Sequence, residues 1–112
     1  MSDLPLEISV ENASQLLSAN EGVPFLLDCR NPDEFDFVHL KNATLIPMDE
    51  LPARVVELQE QQENRILVYC HAGVRSAMVV RWLRENGFPE TQSIAGGIDA
   101  WAVEVDPSLP RY

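Results

Sequence analysis

The sequence predicts an α/β domain with a central, mostly parallel sheet flanked by helices on both faces. Three observations carry that expectation. Short apolar runs, VPFLLDC at 23–29 and ILVY at 66–69, alternate with segments whose apolar residues recur at helical spacing. Helix-start and helix-stop residues separate the two kinds of segment, NPDE before one helix and Gly87 after another. Finally, 112 residues of which 46% are hydrophobic and 23% charged suit one domain, residues 1–112, whose core closes without disulfides or metals.

Taken in order, residues 6–10 (LEISV) suggest a short entry strand. Ser9 caps a helix over about 10–20, with Leu16 and Leu17 on its buried side and Gly22 beyond its end. Val23 to Cys29 is a continuous apolar run closed by Asp28, as in a strand buried on both faces. Asn31 then caps a short helix ending near Val38, with Pro32 at its first position and Glu34 as the capping-box acid. Thr44 to Ile46 is a brief strand stopped by Pro47, and Leu51, Val55 and Leu58 give helical spacing from Glu50 to about Gln59. Ile66 to Tyr69 is a β-branched and aromatic strand. From Ser76 to Asn86 a helix places Met78, Val79, Trp82 and Leu83 on one face, and Gly87 ends it. Gln92 to Ala95 is a last strand, followed by paired glycines and a short helix through Trp101.

Charge narrows the function classes. Eighteen acidic against eight basic residues leave a net charge of −10, a field that repels phosphate backbones, so nucleic-acid binding is not expected. The same field slows anionic substrates unless the site is locally positive. No apolar run approaches the roughly 18 residues of a membrane span, so no membrane contact is expected. The opening MSDLPLEIS has neither a basic start nor an apolar signal core, and a cytoplasmic protein is expected. In a reduced compartment the two cysteines, Cys29 and Cys70, are not a framework disulfide. Both fall at carboxyl ends of strands, where ligands collect in parallel sheets.

Cys70 is the candidate nucleophile. In CHAGVRS it stands where a strand ends and a helix begins. A loop curled around its sulfur turns the N–H groups of His71, Ala72, Gly73, Val74 and Arg75 inward. Gly73 allows a positive φ or a close backbone approach. The helix opening at Ser76 aims its positive end at the same point. Arg75 either adds a guanidinium to the rim or pairs outward with an acid. These features favour the thiolate, which is the reactive form. Four residues between Cys70 and Arg75 make a small ring, sized for one further atom such as a persulfide sulfur. One more residue adds roughly 3.3–3.6 Å of contour and widens the ring toward a tetrahedral oxyanion. Loop length thus favours sulfur transfer over phosphatase or arsenate-reductase chemistry.

Three blocks in order resemble the rhodanese family of sulfurtransferases over nearly the whole chain: LLDCRNPDEFDFVHLKNATLIP, CHAGVRS and SIAGGIDAW. The resemblance implies a sheet flanked by helices, with Cys70 carrying a sulfane sulfur as a persulfide held by Arg75 and the loop amides. Asp28, Arg30, Glu34 and His39 match the first block and read mainly as a supporting polar network, which Ser76 joins. His39 and His71 do not make a zinc site without further ligands, and no metal or cofactor is expected. Two positions depart from the family's pattern: Val38 stands where Gly is usual, and Cys29 where an aliphatic residue is usual. The family's strands ending at Cys29 and Cys70 are neighbours. Cys29 therefore either attacks a Cys70 persulfide, closes a disulfide with Cys70, or is simply a small buried residue in place of valine. The ending GGIDAWAVEVDPSLPRY resembles the tails of rhodanese domains fused to ubiquitin-like-protein activating (adenylyltransferase) enzymes, or acts as a strap packing Trp101 or Tyr112 on the body.

The resulting expectation is an enzyme that takes a sulfane sulfur from thiosulfate and passes it to cyanide, a thiol or a protein. The alternative is a persulfide carrier or docking module in a sulfur relay, recognising a protein partner.

Overall fold

The computed structural model describes residues 4–112. Its elements are β1 (Glu7–Ile8), α1 (Val10–Leu17), β2 (Phe25–Asp28), α2 (Pro32–Phe37), β3 (Thr44–Leu45), α3 (Leu51–Arg54), β4 (Ile66–Tyr69), α4 (Val74–Glu85), β5 (Thr91–Ile94) and α5 (Gly97–Glu104). The five strands form one sheet in the order β1-β5-β4-β2-β3, and every pairing is parallel. From β2 the chain moves outward to β3, crosses back to β4, and continues the other way to β5. The direction reverses between β2 and β4, so their carboxyl ends form the crevice where such sheets bind ligands.

Two cores lie on the two faces. On one, Leu27, Ile46, Ile66 and Val68 pack against Leu51, Leu58, Val79, Val80 and Leu83 from the α3 and α4 side. On the other, Leu26, Leu67, Tyr69 and Ile94 pack against Val10, Ala13 and Ile98 from α1 and α5. Alternation along each strand sorts the side chains. Cys29 and Cys70 therefore fall on the α4 face, and Tyr69 on the opposite one.

The expected elements are present, with informative differences. Strands β1, β2 and β3 are shorter than expected, β2 covering 25–28 rather than 23–29. Strand β4 has the expected bounds, β5 is shifted one residue back to Thr91–Ile94, and the first helix stops at Leu17. Ser9 caps it, its Oγ accepting from the Asn12 amide at 3.1 Å. The segment expected as one helix from Glu50 to Gln59 is a 3-10 turn at Met48–Glu50, four residues of α-helix, and a 3-10 stretch over Val55–Gln61. Buried Leu51 and Leu58 pin its two ends, so tertiary anchoring shapes it more than propensity does. The α4 helix begins at Val74, not Ser76, with Gly73 as its N-cap at φ +102. In its first turn the buried position is Ser76, which serves the sulfur, while Val74 is exposed, so the apolar spacing that marks the rest of the helix is missing there. Met78 is exposed; the buried face of α4 is Ser76, Val79, Val80 and Leu83. Among the described residues no helix is long and apolar enough to cross a membrane.

Candidate active site around Cys70

Cys70 follows directly on β4, and its side chain is only 1% exposed. Its Sγ accepts hydrogen bonds from the Gly73 amide at 3.1 Å and the Ser76 amide at 3.3 Å, both at the start of α4. The Ser76 hydroxyl lies 3.4 Å from the sulfur and 2.7 Å from the Ser93 hydroxyl. With Cys70 ionised, Ser76 donates to sulfur and receives from Ser93, so the buried hydroxyls are satisfied in one direction.

The thiol's pKa falls to about 4. The largest cause is a hydrogen bond from the Cys29 thiol; the Ser76 hydroxyl and the Ser76 and Gly73 amides add to it, while burial opposes it. Cys29 moves the other way. Its hydrogen bond to Cys70, its burial and the neighbouring negative charge keep it protonated. Two sulfurs side by side thus divide into a thiolate and its donor.

The paired glycines of SIAGG hold the loop from behind. A side-chain carbon on Gly97, at φ +60, would run into the carbonyl oxygens of Cys70 and His71. Those same carbonyls accept the Ile98 and Asp99 amides at 2.9 and 3.0 Å. The start of α5 therefore grips the peptide beside the nucleophile, and only glycine permits that approach.

The polar network forms, although its members differ in distance from the sulfur. Asp28 and Arg30 are an ion pair with no solvent exposure: Nη2 to Oδ2 is 2.6 Å and Nε to Oδ1 is 3.0 Å. Arg30 also donates to the Val38 carbonyl at 2.6 Å and the Tyr112 hydroxyl at 2.9 Å. The Tyr112 hydroxyl donates onward to Glu34 at 2.6 Å. Glu34 in turn grips Arg75 through both oxygens, at 2.7 and 3.0 Å, and accepts the Asn31 amide at 3.1 Å. Arg75 first, then Tyr112 and Asn31, hold the Glu34 carboxyl down to about 2 against the opposing effect of burial. Of the two roles open to Arg75, the structure has the outward ion pair.

His39 is apart from this chain. It is exposed, stacks on Phe35 at 3.9 Å and bonds the Phe35 carbonyl through Nδ1 at 2.9 Å. The His71 ring stacks on Tyr112 at 4.1 Å, and its Nε2 is buried without a hydrogen-bond partner. Ala72 and Val74 are exposed on the outer side of the loop. Sequence reading assigned neither Ser93 nor Tyr112 to the site. For Tyr112 the sequence suggests only a strap that packs Trp101 or Tyr112 on the body. Ser93 sits in an ordinary strand and gave none.

A family model for the Rhodanese-like domain matches residues 9–104. Among curated proteins, the probable adenylyltransferase/sulfurtransferase MoeZ of Mycobacterium tuberculosis is 34% identical over 87 residues, covering 78% of this chain and 22% of MoeZ. The tRNA uridine(34) hydroxylase of Escherichia fergusonii is 36% identical over 80 residues, covering 68% of this chain and 23% of that protein. This chain thus spans about a quarter of the length of these relatives. Among solved structures, a rhodanese-related protein from Thermoplasma volcanium superposes with a TM-score of 0.79 at 28% identity, covering 90% of this chain and 94% of that one.

Proposed function

Because the chain belongs to the rhodanese-like domain family, we propose that it is a sulfurtransferase working through a Cys70 persulfide. The single observation that carries this reading is the Cys70 sulfur held by the Gly73 and Ser76 amides at the start of α4. Amides and helix terminus favour negative charge at that point, and a thiolate is the attacking form. With thiosulfate as donor, the Cys70 thiolate attacks the outer sulfur. The bond between the two donor sulfurs breaks, and sulfite departs with its electron pair. The charge then rests on the outer persulfide sulfur. Loop amides of His71 to Arg75 that do not bond Sγ are the donors available to that added atom, each worth roughly 3 kcal/mol if it bonds best in the transition state. An acceptor thiol or cyanide then removes the outer sulfur and restores the thiolate, a two-step covalent cycle with ping-pong kinetics.

A relay role, with protein donor or acceptor, is favoured by a separate observation. Arg75, the cation nearest the loop in sequence, is neutralised by Glu34, and the whole chain carries −10. Arg75 therefore offers a dianionic donor no unpaired positive charge, and a protein persulfide is the better-matched substrate. Intact-mass analysis after thiosulfate exposure tests the common step. One added sulfur on the wild type and none on Cys70→Ser supports it; equal labelling of both contradicts it. Turnover with cyanide separates the free enzyme from the carrier, and phosphate esters remain uncleaved in either case.

A further inference from the structure

Cys29 and Cys70 occupy the same step on neighbouring strands. Strands β2 and β4 pair in parallel register up to Asp28 opposite Tyr69. The ladder continues one residue further, since the Cys29 amide donates to the Tyr69 carbonyl at 3.2 Å. Both thiols then project to the α4 face, in one cluster with Leu27, Ile46 and Val68. Paired strands run about 4.8 Å apart, inside the roughly 4.4–6.8 Å Cα separation that a disulfide spans. Each side chain is 1% exposed, so small external thiols reach neither sulfur without entering the loop. The transfer cycle above uses Cys29 only as a hydrogen-bond donor.

Building on the sulfur-transfer reading, we propose that Cys29 resolves the Cys70 persulfide internally, closing a Cys29–Cys70 disulfide and releasing the outer sulfur as hydrogen sulfide. The Cys29 sulfur attacks Cys70 Sγ, and the Sγ–S bond of the persulfide breaks. The electron pair of that bond leaves with the outer sulfur, which also takes the Cys29 proton. The sulfane sulfur is reduced by two electrons, and the two protein thiol sulfurs are oxidised to the disulfide. A dithiol reductant returns the chain to its starting state, so sulfide release becomes catalytic only when one is supplied.

The resting state holds this reaction back. There the S–H of Cys29 faces two acceptors, the ionised Cys70 sulfur and the Tyr69 carbonyl at 3.5 Å. Persulfide formation moves the negative charge from Cys70 Sγ to the outer sulfur, one atom away. The strongest influence keeping Cys29 protonated weakens at the moment its partner becomes an electrophile. An acceptor that attacks the outer sulfur first prevents the internal step, so the two outcomes compete for one intermediate.

The test follows a single loading. Wild type, Cys29→Ala and Cys29→Val are loaded to completion with thiosulfate under anaerobic conditions, desalted, and followed without acceptor by non-reducing intact mass and sulfide release. Wild type is expected to lose the added sulfur, reach a mass two hydrogens below the reduced protein, and release one equivalent of sulfide. Its digest then contains a disulfide joining the Cys29 and Cys70 peptides. Both variants keep the added sulfur over the same period. A wild-type persulfide as long-lived as that of the variants overturns the proposal, as does sulfide release without the linked peptides. Failure of all three proteins to take up sulfur instead removes the transfer reading itself, and this step with it.

Discussion

Glu34 holds Arg75 in a two-pronged ion pair of 2.7 and 3.0 Å, so the cation nearest the nucleophile in sequence is already committed to an acid from α2. The pair ties the start of α4 to the start of α2 across the mouth of the sheet. Both side chains are partly solvated, at 30% and 16% exposure, which limits what the pair contributes.

Glu34→Gln is expected to cost roughly 1 kcal/mol at neutral pH, and the cost should depend on pH. The Glu34 pKa is depressed to about 2, chiefly by Arg75, so its stabilising effect is complete above the unfolded carboxyl's value of about 4.3. It is lost as pH falls toward 2. Urea unfolding of wild type and variant should therefore converge over that interval. The variant also frees the Arg75 guanidinium, and its KM for thiosulfate is expected to fall.

Arg30→Met leaves the Asp28 carboxylate buried without its partner, for an expected loss of roughly 3–5 kcal/mol. Arg30→Lys keeps the charge but cannot span Asp28, the Val38 carbonyl and Tyr112 together, so it should recover only part of the loss. Denaturant midpoints of the three proteins check the order.

Ser76→Ala removes a hydroxyl that supports the thiolate while keeping the Ser76 amide in place. A hydrogen bond to a charged group is worth roughly 1.5 kcal/mol, about one pH unit in the midpoint of Cys70 alkylation. The midpoint should rise by that amount. Ser93→Ala should raise it less, because Ser93 acts on the sulfur through Ser76.

Gly97→Ala and Gly22→Ala separate conformational from steric cost. Both positions have positive φ, +60 and +66, but nothing lies within 4 Å of a side-chain carbon added at Gly22. That variant should lose about 1 kcal/mol, the cost of the left-handed region alone. Gly97→Ala must also displace the Cys70 and His71 carbonyls, so it should lose more and slow Cys70 alkylation. Equal losses at both sites would show that the close approach is unimportant.

Local chemistry was legible in the sequence. The NPDE cap, the apolar runs of β2 and β4 and the CHAGVRS loop each act within a few residues and fall in the expected regions. The paired glycines are visible only as a turn signal, and not as the close approach Gly97 makes to the Cys70 and His71 carbonyls. Pairings distant in sequence were not legible. Nothing local tells Arg75 that its partner is Glu34, or that Tyr112 bridges Arg30 to that acid. The same limit applies to the start of α4, where the first turn serves the sulfur and lacks the apolar spacing that reveals a helix. The region from Glu50 to Gln59 differed because two buried leucines, rather than a continuous helical ladder, fix its course.

Both the transfer step and its internal resolution require Cys70 to be ionised at rest. The pH dependence of iodoacetamide alkylation, read by peptide mass on wild type and on Cys29→Ala, measures that directly. A wild-type midpoint near 4, shifted upward in Cys29→Ala, is the expected result. A wild-type midpoint at the ordinary thiol value of about 8.5 would contradict the account.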